Sequence, residues 1–172
     1  MKYKNHIKTV ALCLLTMTVF SSCLKDKTYV DFKDAGATID FPAVAYHGEF
    51  NDISLAASPT LTAYPVLVNV SVPKALSTAV HIVLKVDPAA LTAYNTAQAA
   101  AGLPVYTLMS TNNYTIPDLT ATVPANQTSG SVTVNFNTSA ILTTDVLPLT
   151  IISTDAGVIN QYNTILYHVT VK

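Results

Sequence analysis

Arginine and tryptophan are absent from the 172 residues, glutamate occurs once, cysteine twice and glycine five times. Each scarcity excludes something. Nine lysines against ten acids leave a net charge of -1, with neither a basic face for a phosphate backbone nor an acidic tail, so nucleic acid is excluded as a partner. Five glycines provide no glycine-rich loop to cradle phosphates. Charged residues make up only 11% while hydrophobic ones reach 50%, with mean hydropathy +0.39. A disordered chain has the opposite balance.

The charge that is present begins at the N-terminus. Lys2, Lys4 and Lys8 precede an apolar run from Thr9 to Phe20, too short for the roughly 20 residues that span a bilayer as a helix, and it reads as a signal peptide. The run closes on Phe20-Ser21-Ser22-Cys23, which resembles a bacterial lipobox: small residues admit the peptidase and the Cys23 thiol takes a diacylglycerol. Phe20 departs from the Leu, Val or Ile usual in that motif. The expected organisation is a lipoprotein signal peptide over 1–22, a lipidated tether over 23–36 and one β-sandwich domain over 37–172. Cys13 is lost with the signal peptide and Cys23 is lipidated, which leaves no thiol for a disulfide, a metal or a nucleophile. Two acyl chains anchor stably where one is marginal. Lys25-Asp26 in the tether is similar to part of the surface-export signal of Bacteroidota lipoproteins, so the expected location is the outer membrane, lipid-anchored and facing the cell surface.

Period-two patterning dominates the remainder. Val66, Val68, Val70 and Val72 alternate with Leu67, Asn69 and Ser71, and Val80, Ile82, Leu84 and Val86 alternate with His81, Val83 and Lys85, which places one face of each strand on a core. Pro73 to Thr78 supplies a turn, either of a hairpin or of a crossover between sheets. Further strands are expected at Tyr29–Phe32, Thr38–Phe41, Tyr114–Ile116, Ala121–Val123, Ser131–Phe136, Leu149–Ser153 and Thr164–Val171, a spacing that suits an all-β antiparallel sandwich. One segment breaks the pattern. Asp87 as N-cap, Pro88 at N1, an alanine-rich interior and Gly102 after the end predict a helix from about Pro88 to Ala101. Its Leu91, Tyr94, Ala97 and Ala101 fall near one face, so it packs on the sandwich as a crossover.

Asp87, Leu91 and Tyr94-Asn95, then Tyr106, Leu108 and Tyr114, then Val123-Pro124-Ala125-Asn126-Gln127, then Leu147-Pro148-Leu149-Thr150-Ile151 together resemble the domain-of-unknown-function 1735 family of Bacteroidota surface lipoproteins. Met109 stands where that pattern has Pro, Asn126 where it has Gly, and Asp145 where an aromatic often precedes Leu-Pro-Leu. Asn tolerates positive φ best among non-glycine residues, so the turn after Val123 survives its exchange. The resemblance implies an immunoglobulin-like sandwich, often a non-catalytic module beside glycan-binding or glycan-cleaving domains. The sequence ends at Lys172, and the module is expected to stand without such a fused neighbour.

Chemistry has little to work with. His47, His81 and His168 have no metal-ligand spacing, and the alternation around His81 and His168 predicts solvent-facing strand histidines. Gly-x-Ser-x-Gly is absent, and Ser129-Gly130-Ser131 reads as a turn into a strand. A glycosidase needs two positioned carboxylates. Glu49 and Asp52 are the close pair in an apolar neighbourhood, and they read as a solvated loop with no partner to tune either group. No cofactor and no catalytic residue is expected.

Binding remains. Sugar rings stack on exposed aromatics and are bracketed by amides or carboxylates, because their C–H faces are apolar and their hydroxyls directional. Tyr106, Asn112, Asn113 and Tyr114 form one candidate cluster, and Gln161, Tyr162 and Asn163, near a turn marked by Gly157 and Asn160, form a second. Tyr106 and Tyr114 have corner-fixing buried tyrosines as their competing explanation. The expected function is that of a non-enzymatic surface module accessory to glycan capture. The alternative is a structural or adhesive lipoprotein that engages an envelope protein by a sheet edge.

Overall fold

Valine every second residue sets the two layers. Val66, Val68 and Val70 line one face of β3 (Thr62–Ser71), and Val80, Ile82 and Leu84 line one face of β4 (Val80–Val86). All six are buried, each contributing about 1.5–3 kcal/mol relative to an exposed position. β3 and β4 do not pair with each other: they lie in opposite sheets, so Pro73 to Thr78 carries a crossover rather than a hairpin.

The computed structural model describes residues 36–172. The signal peptide expected over 1–22, lipidation at Cys23, the tether expected over 23–36 except its last residue, and the strand expected at Tyr29–Phe32 lie outside the described residues. Besides β3 and β4, the chain forms β1 (Thr38–Asp40), α1 (Pro42–His47), β2 (Phe50–Leu55), α2 (Pro88–Ala100), β5 (Thr107–Leu108), β6 (Tyr114–Thr115), β7 (Thr120–Val123), β8 (Ser129–Phe136), β9 (Asp145–Thr154), β10 (Val158–Ile159) and β11 (Thr164–Val171). One sheet runs β10-β1-β3-β8-β6. The other runs β2-β11-β9-β4-β7, with β5 added beside the start of β9.

The result is the expected all-β sandwich with a helix inserted between two strands. Its ladders are antiparallel except where β2 joins β11, β10 joins β1 and β5 joins β9, all of which are parallel. Inner-face side chains from both sheets share one core that includes Ile39, Phe41, Phe136, Leu149 and Ile165. Near one margin the layers nearly touch: a Cβ at Gly130 of β8 would lie 2.5 Å from the Thr122 carbonyl oxygen of β7.

β9 is buried on both faces over Asp145–Ile151, and α2 explains why. Leu147, Leu149 and Ile151 face the main core, while Val146 packs with Leu166 and Leu91 of α2 in a second, smaller cluster. Pro88 occupies the first turn of α2 and Gly102, at φ 69°, follows its end, as the sequence predicts. Asp87 sits at the N-cap without capping through its side chain. Its carboxylate turns instead to Lys85 Nζ at 3.1 Å.

Two local elements differ from expectation. α1 connects β1 to β2 with Pro42 in its first turn and no side-chain cap at Phe41. It stops at Gly48, whose φ of 85° turns the chain and whose N–H donates to the Val44 carbonyl at 2.9 Å. Residues expected as a solvated loop around Asp52 instead form β2, paired in parallel with β11 over Phe50–Leu55. The register needs Asn51, Ile53 and Leu55 on one face and Phe50, Asp52 and Ser54 on the other. A polar residue among the first set and an aromatic among the second hide the alternation.

Candidate functional site

α1 and the approach to β11 meet at one end of the sandwich. The Phe41 N–H donates to the Tyr162 carbonyl at 2.9 Å, and the Leu166 N–H donates to the Glu49 carbonyl at 2.8 Å. These two bonds hold the segments on either side of a cleft of about 440 Å³, lined by Val44, Gly48, Glu49, Gln161, Tyr162 and Thr164. Tyr162 is 38% exposed. Partial desolvation pushes the Glu49 carboxyl up.

The structure therefore brings Tyr162 and Gln161 into one concavity and adds Glu49, which sequence reasoning had set aside. Asn163 follows them in the chain, but its Nδ2 donates to the Ile151 carbonyl at 3.4 Å and its carbonyl accepts from the Ile151 N–H at 2.8 Å. That residue stitches the entry of β11 to β9.

The other cluster does not converge. Tyr106 is half-buried among aromatics on the outer side of the β9–β11 sheet, 4.6 Å from Phe50 between ring centroids and 6.4 Å from Tyr94. Both ends of the Asn95 amide bind its main chain. Asn112 is exposed. Asn113 is buried, and its Nδ2 donates to the Ala140 carbonyl at 3.1 Å and the Asp145 carboxylate at 3.2 Å. Tyr114 is half-buried in β6 against the core, and burial pushes its phenol up.

The expectation of a solvent-facing strand histidine holds for His81 alone. His81 is exposed and bonds Asp155, with Nδ1 2.7 Å from Oδ2, and this contact holds the Asp155 carboxyl below its usual range. His168 has a side chain only 15% exposed. It packs against Phe50 and Tyr106, with Nδ1 on the Asp52 carboxylate and Nε2 on the Thr143 carbonyl. The strand alternation correctly put it on the outer face; α2 and the following segment then covered that face. Glu49 and Asp52 consequently serve different places, the first lining the cleft and the second pairing with His168. Among the described residues, no three of His, Cys, Asp and Glu are arranged to hold a metal ion.

Solved structures share this fold at low identity. A Bacteroides ovatus multidomain protein that includes a domain of unknown function 1735 is similar with TM-score 0.62 and 22% identity, over 79% of this chain and 45% of that one. A Bacteroides ovatus protein described as carbohydrate binding is similar with TM-score 0.56 and 13% identity, over 77% of this chain and 36% of that one. Bacteroides thetaiotaomicron EndoBT-3987, in a structure with Man5GlcNAc product, is similar with TM-score 0.51 and 19% identity, over 71% of this chain and 28% of that one. The chain thus spans less than half the length of each of these three proteins. No curated protein sequence matches it. The family model that matches residues 27–158, more than half of the chain, describes an N-terminal domain, and with the shared fold it establishes that the chain belongs to the domain-of-unknown-function 1735 family.

Proposed function

We propose that the protein is a non-catalytic accessory module of glycan capture, anchored through a lipid on Cys23 to the outer membrane and facing the cell surface. The observation that carries the glycan reading is the cleft between α1 and the approach to β11. There Tyr162, Gln161 and Glu49 line a cavity of about 440 Å³, within the range of roughly 300–1,000 Å³ usual for small-ligand sites. An aromatic platform flanked by directional polar groups suits a sugar ring, whose faces are apolar and whose rim is hydroxylated. The carbohydrate-binding description of one structural neighbour and the glycan product in another support this substrate class.

The placement of the carboxylates supports binding without turnover. Glycoside hydrolysis by the usual route takes two of them flanking one bond, and Glu49 lines the cleft while Asp52 is engaged with His168. The test is affinity electrophoresis of the protein through yeast α-mannan, amylopectin, arabinoxylan and galactomannan. Retention by a polysaccharide, lost in Tyr162→Ala at unchanged melting temperature, is the expected result. Equal retention of the variant overturns the site. Release of reducing ends overturns the non-catalytic reading.

A further inference from the structure

A single charge faces the Tyr162 cleft. Val44, Gly48, Gln161, Tyr162 and Thr164 bring no charged group to its lining, and Glu49 brings a carboxylate. The backbone pins this residue on both sides. The Gly48 N–H donates to the Val44 carbonyl at 2.9 Å, and the Glu49 carbonyl accepts from the Leu166 N–H at 2.8 Å. The charge therefore springs from a fixed point at the junction of α1 with β2.

No cation is placed to neutralise it. Lys74, Lys85 and Lys172 are the lysines of the described residues, and none of them lines the cleft. Lys85 is engaged with Asp87. His47, two residues before Glu49, lines other hollows of the surface. Among the described residues, burial alone shifts the Glu49 carboxyl, with no hydrogen bond or cation to offset it. An ionised carboxylate only accepts hydrogen bonds. The hydroxyls of a neutral sugar supply donors, whereas a uronate or sulfate group brings a second anion to a partly desolvated wall, where like charges repel more strongly than in bulk water.

We propose that Glu49 is the specificity-determining residue of this cleft, a charge filter that admits neutral saccharides and rejects chains carrying uronate or sulfate. The proposal rests on the reading of the cleft as a glycan site and adds the charge class of glycan that it takes.

The experiment is affinity electrophoresis of the full chain at neutral pH through yeast α-mannan, amylopectin, arabinoxylan and galactomannan, and through the same four polymers after partial oxidation of their primary hydroxyls to carboxylates. A reference protein that binds no polysaccharide corrects for the charge of the gel. The measured quantity is the ratio of retention by an oxidised polymer to retention by its neutral parent. For the unaltered protein that ratio is expected to be about one tenth or less. It is expected to rise severalfold in Glu49→Gln, whose amide keeps an acceptor oxygen but carries no charge. Asp118→Asn, which removes one charge at an exposed position outside the cleft lining, is expected to leave the ratio where it was. A ratio near one in the unaltered protein overturns the filter. A low ratio that persists in Glu49→Gln overturns it too, because the lost hydroxyl then explains the rejection. An equal rise in Asp118→Asn assigns the rejection to net charge, and loss of neutral retention in Glu49→Gln makes the carboxylate an anchor; either result overturns the filter. All four leave the cleft standing as a glycan site. Absence of retention by every neutral polymer overturns the glycan reading and this proposal with it.

Discussion

Asn95 holds the main chain of Tyr106 at both ends of its amide: Nδ2 donates to the Tyr106 carbonyl at 2.8 Å and Oδ1 accepts from the Tyr106 N–H at 2.9 Å. A side chain of α2 thereby imitates a strand neighbour for the segment that leaves the helix. It also fixes where the Tyr106 ring meets Phe50 and His168. Two hydrogen bonds at about 0.5–1.5 kcal/mol each predict that Asn95→Ala lowers stability by about 1–3 kcal/mol in chemical denaturation. Amide exchange at Tyr106 should accelerate in the same variant. Unchanged exchange would show that the clamp is dispensable.

Asp40 is 7% exposed, and burial raises its carboxyl above the ordinary 3.8, partly offset by a hydrogen bond from Asn160. A folded-state value above the unfolded one means the folded protein holds this proton more tightly. The corresponding stabilisation is complete below 3.8 and is lost as pH rises through the raised value. Asp40→Asn, which cannot ionise, is expected to be more stable than the parent at neutral pH, by a margin that shrinks as pH falls through the raised value. Glu49 shifts in the same direction and Asp155 in the opposite one, and both cancel in the comparison of variant with parent. A margin in melting temperature over the parent that stays constant or shrinks as pH rises through the acid range contradicts the assignment.

Asn126 has φ 63° and is the sole non-glycine residue with positive φ among those described. It occupies the third position of a turn closed by the Gln127 N–H donating to the Pro124 carbonyl at 3.0 Å, where a type II turn favours Gly or Asn. Asn126→Gly should change stability by no more than a few tenths of a kcal/mol, whereas Asn126→Val should cost about 1–3 kcal/mol because a β-branched residue is strained there. Thermal melts of both variants measure the difference. Equal melting temperatures would mean the turn relaxes.

Gly130 lets β8 approach β7 across the margin of the two sheets. Its replacement by Ala puts a carbon 2.5 Å from the Thr122 carbonyl oxygen, a backbone contact that cannot swing away. Gly130→Ala is expected to destabilise by about 1–3 kcal/mol or more, as overpacking does. A neutral effect on denaturation would show that the strands part freely.

Anchoring is tested separately from folding. Incorporation of radiolabelled palmitate into the protein is expected to vanish in Cys23→Ser, with the variant released from the membrane fraction. Labelling that persists in that variant rules out Cys23 as the acceptor.

The strands of the core were legible because their signal is local. Val66 to Val70, Val80 to Leu84 and the run Thr164 to Val171 alternate along the chain, and a half-buried strand needs nothing else to be recognised. α2 was equally legible, since Pro88, the alanines and Gly102 act within a few residues of one another. Even the departure at Asn126 could be read, because positive φ is a property of one residue.

What tertiary structure decided lies wherever distant segments supply the missing information. β2 has Asn51 on its inner face and Phe50 on its outer face, so it is a strand only because β11 pairs with it from the far end of the chain. α1 has no side-chain cap and six residues, too short to be stable alone, and is held by Val44 in the core and by the Phe41–Tyr162 bond. His168 alternates like a surface residue yet is covered because Phe50 and Tyr106 meet over it. Tyr162 and Gln161 were visible in sequence as an aromatic beside an amide, but Glu49 joins them across more than a hundred residues. A cleft is a relation between chain segments, and period, propensity and capping act within one segment, so they determine strands and helices without specifying which side chains come to face one another.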